Sequence, residues 1–333
     1  MRRGWAIAAV VLFFAAVNAG MYVTVTRRLA NNFSSTRQMK MVDVAQFLPF
    51  EPESALARTE SSFCFDEDDT LPVLDGAAAL VPVYASVIDA CYPAGSVTYE
   101  GGVFSDDNYY GENFARDSVM QYHNTIRGFD ALVAGDVDLF FTARPSAAQM
   151  QAAEDRGVSL TLVPIGTEAF VFFVNTKNPV DGLTSEQIRA IYRGQITHWQ
   201  DVGGADRRID PLTRVEGSGS QTMMEHIMED DMRMTRDPLA VFGGGIGYSF
   251  RWYLSGMVAD ERVKMLAVDG VYPDAASIRD GRYPFVTPFY VAYRTDDATP
   301  ETLALVDWLL SAEGQDLIEA CGYVGLPDGD DAP

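Results

Sequence analysis

The sequence has few cysteines and few histidines, which excludes the commonest metal centres. Its three cysteines are Cys64, Cys91 and Cys321, and no CxxC pair or Cys/His ligand spacing occurs among them. The three histidines are equally scattered along the sequence, so we expect each of them to have a structural role. We expect all three cysteines to be buried as small hydrophobic residues. One disulfide with a free thiol remains the alternative for an exported chain.

Basic residues are also scarce. The chain carries 25 Lys and Arg against 47 Asp and Glu, which gives a formal net charge of −22. A nucleic-acid surface needs clustered cations, so the composition excludes that class of partner. A small anionic ligand remains compatible with this charge, because salt screens distant charges beyond about 8 Å while donors inside a cleft act at contact.

Long apolar runs are missing except at the N-terminus. Residues 4–26 contain no charged side chain and lie between two arginine pairs, so residues 1–28 are predicted to be a signal anchor. Cleavage after the small residues 17–19 is the alternative, and would release the protein from the membrane. Residues 29–70 are polar and irregular, which indicates a tether that packs partly on the folded region. The rest of the chain is predicted to be extracytoplasmic.

Strand and helix patterns alternate from residue 71 onward, which predicts an α/β fold. Strands are expected at 71–74, 137–141, 160–164, 169–174, 264–268 and 289–293. Helices are expected after residue 80, after residue 124, from Thr184 with its Gln187 capping box, and from Pro300. The glycines at 243–247 follow no strand pattern and predict a turn rather than a dinucleotide-binding loop.

One stretch, residues 214–222, combines the features of an anion site. Gly217 and Gly219 permit close backbone approach, Ser218 and Ser220 offer hydroxyls, and a helix is predicted to start near Ser220. A helix start carries unpaired N–H groups and a partial positive charge, and Arg214 adds a guanidinium. An ordinary serine cap after a flexible turn is the alternative. The stretch lacks the lysine of a Walker loop and the order of a nucleophile elbow.

Several segments together resemble the phosphate-binding substrate proteins of ABC transporters. They read LDGAAALVPVYA, GDVDLFFTARPS, PIGTEAFVFFVNTKNPVDGLTSEQIRAIYRGQITHWQDVGG, RVEGSGSQT and IGYSFRWY. The resemblance implies a two-lobed type II periplasmic-binding-protein fold, with crossings near 164–168 and 284–288. One lobe would comprise residues 71–165 and 287–326 and the other residues 166–286, followed by a tail at 327–333.

The resemblance also implies a set of ligand contacts. They fall on Ala78, Ala79, Thr125, Ala143, Arg214, Ser218, Gly219 and Ser220, with Asn124, Arg144 and Ser146 as further candidates. Two positions depart from the family, which usually has a hydroxyl at Ala78 and an acidic or hydroxyl acceptor at Ala143. Because that acceptor takes the proton of phosphate, Thr142, Ser146 or Glu216 must replace it if selectivity is kept.

The implied function is non-enzymatic capture of inorganic phosphate for ABC permease subunits, without a cofactor or metal. A phosphate sensor that signals through the N-terminal helix is the first alternative. A serine hydrolase is the second, with Ser218 or Ser220 as nucleophile. It lacks a base, because His226 lies eight residues beyond Ser218, about 12 Å along a helix.

Overall fold

A computed structural model of the chain describes residues 43–66, 68–104, 110–214, 216–228, 244–258 and 261–326. The predicted anchor at 1–28, the first part of the predicted tether and the predicted tail at 327–333 lie outside these residues. Within them, no helix combines the length and apolar character that a bilayer crossing requires.

Strands and helices alternate along most of the described chain, as the sequence predicts. The strands are β1 Leu74–Gly76, β2 Tyr99–Phe104, β3 Tyr110–Phe114, β4 Leu139–Ala143, β5 Leu160–Asn175, β6 Gly182–Leu183, β7 Ile209–Pro211, β8 Gly244–Phe250, β9 Val263–Met265, β10 Ala267–Val268 and β11 Val286–Arg294. The α-helices are α1 Val81–Cys91, α2 Asn124–Ala134, α3 Ala147–Asp155, α4 Ser185–Tyr192, α5 Gly219–Met228, α6 Ala275–Arg279, α7 Pro300–Leu310 and α8 Ala312–Ala320.

The main sheet runs in the order β1-β4-β11-β5-β8-β7, with β9 also pairing with β5. The β1/β4 and β7/β8 pairs are parallel, whereas β11 is antiparallel to both β4 and β5. The first half of β5 pairs with β11 and the second half with β8. The long strand β5 therefore joins the two halves of the sheet.

The hydrophobic core is divided at the same place along β5. Ile165 packs in a cluster with β1, α1 and the C-terminal helices, while Ala169 packs in a second cluster with α4, α5 and β8. At β11 the change falls between Phe285, which directly precedes the strand and lies in the second cluster, and Phe289, in the first. Both strands thus pass from one cluster to the other within a few residues.

Two sequence predictions about strands were wrong, for physical reasons that the structure makes clear. The strand does not break at Pro164. β5 continues from Leu160 to Asn175 with a β-bulge in which Ile165 is the extra residue, because Pro164 and Gly166 pair with the adjacent residues Tyr290 and Phe289 of β11. A bulge accommodates a residue that lacks a backbone donor. Gly244, Gly245 and Gly247, which were predicted to lie in a turn, lie in β8. A Cβ on Gly244 would lie 2.5 Å from Trp199 and one on Gly247 would lie 2.5 Å from Phe173, so the packing of these rings against the strand requires glycine.

The cysteine prediction was wrong at one of its three positions. Cys91 and Cys321 are buried, and burial raises the pKa of the Cys91 thiol to about 12 and that of Cys321 to about 11. Cys64, however, is exposed, in the segment before β1 that packs on the first cluster through Val44 and Phe65. All three thiols are free in this structure, which does not contain the alternative disulfide.

Candidate functional site

A single cavity gathers residues from both hydrophobic clusters. Its volume is about 120 Å³. Pockets for drug-sized ligands occupy roughly 300 Å³ or more, so this cavity suits a small ion or molecule. Its lining consists of Ala77, Ala78, Ala79, Leu80, Asn124, Thr125, Ala143, Glu168, Arg214, Ser218, Gly219, Ser220, Ser249, Phe250, Tyr253, Thr287, Phe289 and Tyr323.

Three helix starts face this cavity. A 3-10 turn at Ala78–Leu80 leads into α1, and the first residues of α2 and α5 are the other two. The first turn of a helix leaves N–H groups without intrahelical partners and concentrates partial positive charge. The arrangement therefore favours a negatively charged ligand, despite the net charge of the whole chain.

The loop before α5 is held by a network of hydrogen bonds. The backbone N–H of Arg214 donates to Gln221 Oε1 at 3.0 Å and to Tyr248 Oη at 3.2 Å. Ser218 Oγ accepts a hydrogen bond from the Gln221 N–H at 3.3 Å, as a helix cap does. Gly217 has a φ of 78°, a conformation that favours glycine. These bonds anchor Arg214 and Ser218 to the first turn of α5 and to β8.

Arg214 supplies the positive side chain of the cavity. It is half-buried, and its guanidinium lies beside Tyr253, another lining residue. Burial raises the pKa of Tyr253, and the positive charge of Arg214 opposes that rise. Tyr253 therefore stays protonated at neutral pH, and a planar guanidinium in this position is suited to bidentate hydrogen bonds with an oxyanion.

The structure brings together all eight residues that the resemblance assigns to the ligand, since Ala78, Ala79, Thr125, Ala143, Arg214, Ser218, Gly219 and Ser220 all line the cavity. Asn124 lines it as well. Arg144 and Ser146 do not. The exposed Arg144 donates to Tyr290 Oη at 2.9 Å, and Ser146 caps α3 by accepting from the Gln149 N–H. Ligand binding by all of these residues stays a prediction.

Sequence reasoning missed Glu168, which lines the cavity although it lies in an apolar strand. Its side chain is buried and forms an ion pair with Arg251, whose Nε lies 3.0 Å from Glu168 Oε1. Arg251 also donates to the carbonyl oxygen of Gly322 at 2.6 Å. The available signal was the carboxylate of Glu168 itself, which directly precedes the apolar run 169–174, because buried charges require partners.

A pair formed by His123 and Asp75 lies beside the start of α2. His123 Nδ1 is 2.7 Å from Asp75 Oδ2, and Asp75 is fully buried while the imidazole is partly exposed. The hydrogen bond to Asp75 raises the pKa of His123 above its usual value. Asp75 Oδ1 also accepts from the backbone N–H groups of Gly76 and His123. The pair therefore ties β1 to the residue that precedes Asn124.

This pair predicts a pH-dependent stability. A folded-state pKa above the unfolded value of about 6.5 means that protonated His123 stabilises the fold fully below that pH, and that the contribution is lost as pH rises through the folded pKa. The difference in unfolding free energy between the wild type and His123→Gln, measured in urea, is expected to be largest near pH 5.5. It should shrink by pH 8.5. A difference that grows with pH would contradict the assignment.

Comparison with known proteins gives the same fold. A family model described as a PBP superfamily domain matches residues 110–313. The phosphate-binding protein PstS of Bacillus subtilis (strain 168) is 28% identical over 167 residues, which cover 46% of this chain and 54% of the relative. The protein of the same name from Staphylococcus aureus (strain USA300) is 25% identical over 221 residues, 60% of this chain and 67% of the relative. The chain thus spans about half to two thirds of the length of these relatives.

Two solved structures have a fold similar to that of this chain. One is a putative phosphate ABC transporter substrate-binding protein with bound phosphate from Clostridium perfringens, with a TM-score of 0.56 and 20% identity, covering 77% of this chain and 99% of that one. The other is an ABC-type phosphate transport receptor from Vibrio cholerae, with a TM-score of 0.53 and 21% identity over 77% of this chain and 100% of that one. At these identities the likeness shows the fold. Because the family model spans more than half of the sequence, the chain belongs to the PBP superfamily and has its mixed α/β type II periplasmic-binding fold.

Proposed function

We propose that this chain is an extracytoplasmic substrate-binding protein that captures inorganic phosphate and delivers it to an ABC permease. The observation that carries the proposal is the meeting of three helix starts and Arg214 around one small cavity. These groups offer backbone N–H donors, hydroxyls and one guanidinium, which is the chemistry of an oxyanion site. The phosphate-binding relatives named above support the same ligand.

The two lobes proposed here comprise residues 71–165 with 287–326, and residues 166–286. The division of the hydrophobic core along β5 and β11 supports them. Gly219 and Ala143, which belong to opposite proposed lobes, lie so close beside the cavity that a Cβ added to Gly219 would lie 3.5 Å from the Ala143 Cβ. Ligand would enter by hinge opening at the crossing strands and would be retained by closure. The proposed membrane anchor is residues 1–28.

Capture without chemistry fits the surroundings of the serines better than hydrolysis does. Within the described part of the chain, no histidine lines the cavity. His226 is exposed on α5, and His123 directs its Nδ1 to Asp75. Ser218 already accepts a hydrogen bond from the Gln221 N–H. A nucleophilic serine needs a base within hydrogen-bond reach, and none of the three histidines, His198 included, lines the cavity to supply one.

Calorimetric titration of the full-length chain in detergent tests the proposed ligand. We expect one phosphate per chain with a dissociation constant in the micromolar range or tighter, equivalent to about −8 kcal/mol or better. A nucleoside monophosphate is the control, because the cavity is too small for a nucleoside. Tight binding of another oxyanion without phosphate binding would overturn the ligand, and no binding of any oxyanion would overturn the binding function.

A further inference from the structure

Phosphate and sulfate have nearly the same shape but differ in protonation. At neutral pH phosphate keeps at least one proton, whereas sulfate has none. A site made only of donors therefore binds both, and discrimination requires an acceptor that takes the ligand's proton. The residue that aligns with the family's acceptor is Ala143, which has no polar side-chain atom.

The three replacements expected from the sequence do not line the cavity. Thr142 lies in β4 opposite Tyr290, and its side chain is buried outside the lining. Ser146 Oγ accepts from the Gln149 N–H in the capping box of α3. Glu216 is exposed. None of them is placed to meet a ligand that lies against Arg214.

Glu168, in contrast, lines the cavity together with Arg214. Of the described residues that line the cavity, it alone carries a carboxylate. It lies in β5 where the strand passes between the clusters, with Thr287 of β11 as its partner in the sheet and a neighbour in the lining. It is 2% exposed, so its carboxylate is shielded from bulk water.

The hydrogen bonds of this carboxylate leave acceptor capacity on one oxygen. Oε1 accepts from Arg251 Nε at 3.0 Å and from the Ala169 N–H at 2.8 Å, while among the described residues the only donor to Oε2 is the Trp252 N–H at 3.1 Å. A carboxylate oxygen has two lone pairs, so Oε2 has room for one more donor. Burial raises the pKa of Glu168 although Arg251 and the backbone donors oppose it, and a more basic carboxylate is a stronger proton acceptor.

We propose that Glu168 accepts a hydrogen bond from the protonated oxygen of the bound anion and thereby selects phosphate over sulfate. The role rests on the phosphate binding proposed above. A sulfate oxygen in the same place would meet the carboxylate without a proton between them. In a buried site that contact is repulsive, because neither group is hydrated.

Glu168→Gln tests the proposal, because the amide keeps the size of the side chain and adds a donor. Phosphate, arsenate and sulfate are titrated into the wild type and the variant at pH 7. The wild type is expected to prefer both protonated anions over sulfate by about 100-fold or more, since sites built around a ligand hydroxyl discriminate strongly. In the variant, phosphate should weaken by about tenfold and sulfate should gain, so that the preference falls below about tenfold.

Arg251→Lys is the matched control. It retains a cation beside Glu168 and the carboxylate itself, but it changes the ion pair and the bond to Gly322. We expect the preference for phosphate to persist. A folded Glu168→Gln protein that still rejects sulfate as the wild type does would overturn the proposal. So would an equal loss of selectivity in Arg251→Lys, because that result assigns the effect to the ion pair.

A second variant covers the case in which Glu168→Gln does not fold. Glu168→Asp keeps the charge and shortens the reach, so phosphate and arsenate should weaken by about tenfold while sulfate stays excluded. Unchanged phosphate affinity in this variant would overturn the role. A wild type that binds no phosphate would refute the proposed function itself. Normal phosphate binding by the wild type together with unaltered phosphate affinity and selectivity in the Glu168 variants would refute only the role of Glu168.

Discussion

Arg214→Met is expected to weaken phosphate binding by about 100-fold. A hydrogen bond to a charged group contributes about 1.5–3 kcal/mol, and each 1.4 kcal/mol is a tenfold change in affinity. Arg214 is the cation among the described residues that line the cavity, and its backbone is fixed by Gln221 and Tyr248. Methionine preserves an apolar stem of similar length, so the loss isolates the guanidinium. Calorimetric titration with phosphate measures it.

Arg282→Met controls for the change in net charge. Arg282 also lies between β5 and β11 in sequence, but its side chain is exposed and pairs with Asp280 on the surface. Both variants lower the net charge of −22 by the same amount. Exposed charges are screened beyond about 8 Å, so the control should bind phosphate within about threefold of the wild type. Equal effects in the two variants would mean that the overall field, and not the cavity, governs affinity.

The helix start at one side of the cavity was predictable because its parts are local in sequence. Glycines and serines before a run of Met224, Ile227 and Met228 indicate a helix start, and the structure begins α5 at Gly219. The capping box at Thr184 and the start of α7 at Pro300 were likewise confirmed. Each of these features depends on a few adjacent residues, so it leaves a pattern in the sequence.

Features that depend on distant contacts were not predictable. Gly244 and Gly247 lie in a strand through pairing with β7 and β5, and they must be glycine because aromatic rings from Trp199 and Phe173 occupy the space where side chains would be. The cavity position of Glu168 depends on the pairing of β5 with β11 and on the backbone of Trp252. No spacing rule within β5 distinguishes a ligand-facing carboxylate from one that only pairs with an arginine.

Trp199→Ala is expected to cause the largest loss of stability, about 3–5 kcal/mol, as for other buried tryptophans. Trp199 is 2% exposed, packs in the second cluster and donates from Nε1 to the Gly244 carbonyl oxygen at 2.9 Å. Urea unfolding measures the change. Trp199→Phe replaces the indole with a smaller phenyl ring and removes the N–H donor, so an intermediate loss of about 1–3 kcal/mol is expected. Tyr272→Ala is the control at an exposed position, and its free energy of unfolding should stay within about 0.5 kcal/mol of the wild-type value.

Backbone contacts run from the same tryptophan towards the cavity. Trp199 donates to the Gly244 carbonyl oxygen, Gly244 pairs with Ile209 at the start of β7, and the N–H of Leu212, two residues before Arg214, donates to the Ile246 carbonyl oxygen at 2.9 Å. A ligand at 100 times its dissociation constant adds about 2.7 kcal/mol of stability. Trp199→Ala should therefore lower stability yet keep most of that increment, whereas Arg214→Met should keep its stability and lose the increment at the same phosphate concentration. If Trp199→Ala abolished the increment while remaining folded, the second cluster would determine the geometry of the anion site as well as its stability.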